Sequence, residues 1–194
     1  MSSLVNQSHP QSIVDSPNVN LHPESGSILL MKVENIIVKN LYENKSSTLY
    51  SAEHELNTHK DSGLDLYCPE TFTIQAGEML LVDLGIKVAA YKITSDETEN
   101  RKFYHPLPYY LYARSSMPKT GLLLANSVGI IDSGYRGNLM ARFYNTKNQA
   151  VTVESGTRLV QICLPNLESN FKLDIVSHLE ETERGEAGLG STGI

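Results

Sequence analysis

Leu80, Val82, Leu84, Ile86 and Val88 occupy every second position of one stretch of this chain, with Leu81, Asp83, Gly85 and Lys87 between them. A period of two puts alternate side chains on opposite faces, so the stretch predicts a half-buried β-strand. Shorter runs of the same type recur along the sequence. Ile28–Val38 (ILLMKVENIIV) is rich in β-formers, and Phe72 and Ile74 alternate before a turn-like Ala76-Gly77. Leu122–Ser127 and Asn138–Tyr144 flank the turn-rich IDSGYRG. Val151 with Val153 forms another run and Arg158–Leu164 (RLVQICL) one more, while Phe171–Leu179 fits either a strand or a short helix. No stretch keeps an apolar period of 3.6 residues for three clear turns, and strands at such spacing predict an all-β sandwich, barrel or jelly roll. Three segments fall outside the pattern. Residues 1–27 are rich in Ser, Asn, Gln and Pro and predict a disordered tail. Asn40–Ser62 reads as a long polar loop or insertion, and Tyr91–Pro108, with its run of charges, as a surface loop. No internal repeat is visible.

Composition narrows the function classes. The 194 residues suit one domain with a core, and 40% apolar with 20% charged residues is ordinary for a globular chain. A net charge of −6 and a pI near 5.5 argue against electrostatic binding to a nucleic-acid backbone or an anionic membrane. A single nucleotide needs only a few local arginines and stays allowed. Cys68 and Cys163 have no metal-type spacing and are too few for a disulfide framework, so reduced core thiols are expected. No apolar run reaches 18 residues, and the first 31 residues lack Lys and Arg. Together these predict an intracellular protein, cytoplasmic or nuclear, without secretory or mitochondrial leader.

Chemistry concentrates in residues 113–145. Arg114-Ser115-Ser116 sets a permanent cation beside two hydroxyls, a recipe for phosphate oxygens. Asp132 follows Ile130-Ile131 and precedes Ser133-Gly134, where a strand end meets a tight turn and a carboxylate can hold and deprotonate water. Tyr135 is placed to stack on a flat ring or sugar. Each has a plainer reading: Asp before Ser-Gly as a turn former, Tyr as core, Arg-Ser-Ser as a surface tripeptide. The ending GLGSTGI has the G-x-G-x-x-G spacing of a dinucleotide loop, yet no helix follows to receive a phosphate.

Five segments in order, SGLDLY (62–67), ARSSM (113–117), ANSVGIIDSGYRG (125–137), GTRLVQ (156–161) and RGEAGLGSTG (184–193), change the weighting. Together they resemble the five motifs of the deoxyuridine triphosphatases, over a span from about Ile28 to the C-terminus. The resemblance implies a homotrimer of β-barrel or jelly-roll subunits that exchange C-terminal arms and split dUTP into dUMP and pyrophosphate with Mg²⁺. It implies a barrel domain over residues 28–180 and a flexible lid over 181–194. By the same resemblance Asp132 activates the water that attacks the α-phosphorus, and Tyr135 packs under the deoxyribose and refuses a 2′-hydroxyl. Asn126, with the backbone around Ile130, Ile131 and Met140, lines a hairpin that reads uracil. Ser115, Ser116 and Gln161 hold phosphate oxygens, while Arg114 either touches phosphate or orients the site. Asp65 shapes the site and can reach the metal through water, and Arg158 is a structural ion-pair residue. Arg184, Ser191 and Thr192 serve the triphosphate from the lid, and Leu189 covers uracil where the family usually has Phe. Mg²⁺ is held by the phosphates and water, with no direct protein ligand. The partners implied are dUTP and two further copies of the chain, with no stable nucleic-acid or membrane binding. Two rivals remain. The related dCTP deaminases need an acid on the strand after the turn, where this chain has Arg142. A non-catalytic nucleotide or protein binder is the other.

Overall fold

The computed structural model describes residues 26–49, 61–96, 98, 101–169 and 171–186. The sequence-based tail (1–25 of it) and Leu189, Ser191 and Thr192 of the lid lie outside the described residues. In chain order the strands are β1 (Gly26–Val33), β2 (Gly63–Tyr67), β3 (Phe72–Ile74), β4 (Met79–Asp83), β5 (Ile86–Asp96) and β6 (Arg101–Leu107). They continue with β7 (Tyr109–Ala113), β8 (Leu122–Leu124), β9 (Val128–Ile131), β10 (Met140–Asn145), β11 (Val151–Val153), β12 (Arg158–Cys163) and β13 (Phe171–Ile175). One helix, α1 (Ile36–Leu49), follows β1. The strands form four sheets, β13-β1-β5-β6, β4-β10-β8, β11-β3 and β2-β12-β7-β9. The all-β expectation therefore holds, with one helix added. Among the described residues no helix is long and apolar enough to cross a membrane.

One large core unites the sheets. Leu29, Met31, Leu64, Leu66, Ile86, Tyr109, Phe143 and Leu173 are all buried in it, and the rings of Phe72 and Phe143 stack 6.0 Å apart. A smaller cluster of Ile28, Ala89, Tyr91 and Ile93 lies on the other face of β1 and β5, with Leu30, Tyr104 and Leu179 packed against it. Both faces of this sheet are thus covered, which is why ILLM and VAAY read as unbroken apolar runs. Leu179 draws the chain after β13 across this second cluster and so sets the course of the C-terminal segment. Burial pushes the Cys68 thiol up to about 12 and the Cys163 thiol upward as well. Both cysteines are free and buried, in line with the reduced-thiol reading.

Three expectations are corrected. The five-position alternation belongs to two strands, because the chain leaves one sheet for another at Gly85, whose φ is +64° and whose N–H is held by Asp83 Oδ1 at 2.7 Å. The alternation survives the break because both strands face the same core. Tyr91–Pro108 is not a loop: β5 and β6 pair antiparallel from Ala90↔Leu107 to Asp96↔Arg101. Most of β6 is solvent-facing on both sides, so its sequence carries no apolar alternation, and Pro106 is tolerated on this edge strand.

The third correction concerns the end of the Ile28–Val38 run and the start of the polar Asn40–Ser62 stretch: β1 stops at Val33, and Ile36–Leu49 form α1. Its start is capped by Asn35, whose Oδ1 accepts the Ile37 N–H at 2.9 Å. Among the helix side chains described, residues 36–43, Val38 and Tyr42, four residues apart, are buried, with Leu41 packed beside them. Ile36 and Ile37 face solvent and blur the helical period. The last ambiguous segment, Phe171–Leu179, is a strand in its first five residues and runs parallel to β1.

Candidate functional site

The sheet β2-β12-β7-β9 sets Asp65, Gln161 and Tyr112 side by side, since Gln161 pairs with both of the others. A register shift in β12 between Arg158 and Val160 brings the Arg158 side chain to the same carboxylate. Asp65 Oδ1 accepts from Arg114 Nε at 2.7 Å and Asp65 Oδ2 from Arg158 Nη1 at 3.0 Å. Arg114 Nη1 also donates to Ser116 Oγ at 3.2 Å and to the Arg158 carbonyl at 3.1 Å. Arg158 is the ion-pair residue that the sequence suggested, and its guanidinium also stands 6.0 Å from the Tyr67 ring centroid. Both oxygens of Asp65 are engaged by arginines, so its role is to hold two guanidinium groups in place.

Ser115 and Ser116 follow directly, at the entrance to a short 3-10 turn (Met117–Thr120) that buries Met117. Gln161 lies flat over Gly63, where a Cβ would overlap its Oε1, and its Nε2 donates to the Ala113 carbonyl at 3.2 Å. Gly63, Asp65, Tyr112, Arg114, Ser115 and Gln161 line an open cleft of about 630 Å³. Cation, hydroxyls and carboxamide therefore converge in one cleft suited to phosphate oxygens.

A second cluster forms at the turn between β9 and β10. The Asp132 carbonyl accepts the Tyr135 N–H at 3.0 Å, which curls the turn, and Tyr135 Oη donates to the Asn138 carbonyl at 2.9 Å. The ring lies across Gly137, where a Cβ would fall 2.5 Å from Tyr135 Oη. Burial raises the Tyr135 pKa, helped by the negative charges of Glu186 and Asp83. The Asp132 side chain is half exposed, and Arg184 Nη2 stands 2.8 Å from its Oδ2. Thr182 Oγ1 donates to the Gly134 carbonyl, Gly185 N donates to Thr182 Oγ1 at 3.1 Å, and Lys87 pairs with Glu186. Up to Glu186 the C-terminal segment packs on this turn of its own chain, so Arg184 neutralises the carboxylate instead of projecting toward a phosphate.

The elements expected to form a uracil-reading hairpin are not paired with one another. β9 pairs with β7, and β10 with β4 and β8, so β9 and β10 are not partners. β9 is an edge strand of its sheet, with Ile130 strongly exposed and Ile131 half-buried. Asn126 is exposed in the β8–β9 connection next to Ser127, whose φ is +61°, and Met140 opens β10 opposite Asp83. Arg142 is exposed on β10 opposite Leu81.

The two clusters sit at opposite ends of β7. Tyr109 pairs with Ile131, the neighbour of Asp132, whereas Ala113, the neighbour of Arg114, lies beyond the Tyr112↔Val128 pair. Six strand positions separate the levels of Asp132 and Arg114, about 20 Å at roughly 3.3 Å per residue.

Comparison with known proteins joins these pieces. The family model described as dUTPase matches residues 101–193. The deoxyuridine 5′-triphosphate nucleotidohydrolase of Escherichia phage T5 is 39% identical over 122 residues, covering 62% of this chain and 72% of the relative. Its namesake from Rickettsia akari (strain Hartford) is 34% identical over 173 residues, 84% of this chain and 100% of the relative. The chain belongs to the dUTPase family. A dUTPase structure from Streptococcus mutans is 32% identical over 60% of this chain and 88% of that one, with a TM-score of 0.43.

The sequence motifs account for Asp65, Arg114, Ser115 and Gln161 in one cleft with Ser116 bonded to Arg114 beside it, and for Asp132 and Tyr135 in one turn with Arg184 against it. Arg136 escaped sequence reasoning. It stands inside a recognised motif, but nothing in a sequence distinguishes a buried arginine from a solvated one.

Proposed function

We propose that the protein hydrolyses dUTP to dUMP and pyrophosphate by in-line attack of water on the α-phosphorus, with Asp132 as general base. The observation that carries this reading is the placement of Asp132: a half-exposed carboxylate on a turn closed by Tyr135, with one cation against it. Such a group can bind a water and take its proton as the P–O bond forms, while pyrophosphate departs with the electron pair. When the nucleotide enters, Arg184 exchanges the carboxylate for phosphate oxygens, freeing the base as the lid of residues 181–194 closes. Ser191 and Thr192 add hydroxyls, and Leu189 covers the base.

Arg114, Ser115, Ser116 and Gln161 hold the α- and β-phosphates. Tyr135 forms the floor under the deoxyribose and leaves no room for a 2′-hydroxyl. Asn126 and the main-chain groups around Ile130 and Ile131 that β9, paired along one edge only, turns away from β7 read the uracil edge together with the Met140 backbone. Cytosine would leave buried partners unmatched at about 1–3 kcal/mol each. Among the described residues no three His, Cys, Asp or Glu side chains converge as a cation cage, and Asp65 is engaged by two arginines. This donor set fits Mg²⁺ arriving on the triphosphate and held by its oxygens and water. Bound there, the ion offsets phosphate charge and fixes the triphosphate conformation.

The separation of about 20 Å between the strand levels of Asp132 and Arg114 in one chain supports a site shared between copies. A base reaches its target directly or through one water, so Asp132 of one subunit serves phosphates held by another. A homotrimer meets this need. The product role follows: removing dUTP limits uracil in DNA and supplies dUMP for dTMP synthesis.

The test is pyrophosphate release from dUTP, UTP, dCTP and dTTP, with and without Mg²⁺. dUTP should lead by about 10²-fold or more in kcat/KM, as expected of a site that matches the substrate's hydrogen-bonding groups. Absence of dUTP turnover, or ammonia released from dCTP, overturns the reading.

A further inference from the structure

Arg136 is 7% exposed, one of the few buried polar side chains among the described residues. Its hydrogen bonds go to neutral oxygens. Its Nη1 donates to the carbonyls of Ser133 and Tyr135, both at 2.9 Å. Its Nε donates to the Glu180 carbonyl at 3.1 Å, and its Nη2 to Tyr91 Oη at 3.1 Å. Its own N–H donates to the Gly185 carbonyl at 2.9 Å. One guanidinium thus joins the turn carrying Asp132 and Tyr135, strand β5 through Tyr91, and the segment carrying Arg184. Burying a cation is costly unless its donors are met, and here four oxygens meet them in a fixed planar fork. Lysine has one nitrogen in place of that fork and cannot span the same four acceptors.

The two carbonyls bound by Nη1 bracket Gly134 and set the curl of the turn. That curl fixes the direction of Asp132 at its start and of the Tyr135 ring at its end. We propose that Arg136 is the positioning residue for dUTP hydrolysis, placing the sugar floor and the general base together and anchoring the root of the lid beside them. This rests on the function proposed above. Arg136 acts through Tyr135 and Asp132, by its bonds to the carbonyls of the turn that carries them. Its specific consequence is sugar selectivity, because a Tyr135 ring free to shift makes room for a 2′-hydroxyl.

The experiment compares Arg136→Lys and Tyr91→Phe with the unaltered protein. It measures kcat and KM for dUTP and UTP, the melting temperature and the oligomer size. Arg136→Lys is expected to lower kcat for dUTP by about tenfold or more, and the dUTP:UTP ratio of kcat/KM by a similar factor. Tyr91→Phe, which removes one acceptor far from the substrate, is expected to move the same ratio in the same direction by about twofold to threefold. A merely structural role would reduce the active fraction and scale both substrates together. An unchanged ratio in Arg136→Lys therefore overturns the proposal, whatever happens to the melting temperature. Should Arg136→Lys fail to fold, Tyr91→Phe decides by the same criterion. Failure of the underlying reading is seen separately, as absent dUTP turnover in the unaltered protein.

Discussion

Asp132 has two partners to serve, and the arrangement around it is built for exchange. Its carboxylate and the Arg184 guanidinium are each about half exposed, at 50% and 44%, so their pairing at 2.8 Å is screened by water and easily given up. A triphosphate offers Arg184 more negative charge than one carboxylate does. Asp132→Asn keeps the shape of the turn and removes the base. It should lower kcat by about 10²-fold or more while changing the affinity for a non-hydrolysable dUTP analogue little. Single-turnover kinetics with titration of the analogue checks this, and near-normal turnover would remove Asp132 from its role. The sequence singled out Asp132 and Tyr135 from their motif, but not the neighbour that holds them. Arg136 is silent in sequence because its meaning lies in carbonyls at positions 133, 135 and 180 and a hydroxyl at 91, brought together only by folding.

At the scale of elements, the edge of β2 receives unexpected support. Tyr42, completely buried in α1, accepts the Tyr67 N–H at 2.9 Å, and the two rings meet edge to face at 5.0 Å. Burial pushes the Tyr42 phenol above its ordinary range. The contact stabilises the end of β2, two residues from Asp65 and close to Arg158. Tyr42→Phe removes the acceptor and leaves a backbone donor without its partner, a cost of about 1–3 kcal/mol. Urea denaturation should show the midpoint lowered by a corresponding amount. An unchanged midpoint would show that water replaces the hydroxyl. The helix escaped the sequence reading because the exposed Ile36 and Ile37 ahead of buried Val38 and Tyr42 blur the apolar stripe. The β5–β6 hairpin escaped because the part beyond the core is held by backbone bonds that polar side chains do not announce.

At the scale of the whole molecule, one chain holds the two clusters of the proposed site at opposite ends of β7. Sheet β2-β12-β7-β9 carries the phosphate residues at one end of β7 and leads into the Asp132 turn at the other. A mixture of two inactive variants tests sharing between subunits directly. Co-expressed Asp132→Asn and Arg114→Gln chains should regain about a quarter of wild-type activity, because random assembly in a cyclic oligomer pairs intact Asp132 with intact Arg114 in about that fraction of sites. Activity that stays at the sum of the separate variants would place the base and the phosphate cleft on one chain.

What the sequence determined by itself was the material: strands from period two, a nucleotide chemistry from five ordered motifs, and the candidates for base, hydroxyls and cations. Those follow from local rules, since alternation, turn chemistry and side-chain type are properties of neighbouring residues. Tertiary structure decided where these groups point and what they lean on. It assigned Asp65 to two arginines, Arg184 to Asp132, and the carbonyls of the turn to Arg136. Such partners are remote in sequence, and a hydrogen bond between them exists only once the core has fixed their separation to a few tenths of an ångström.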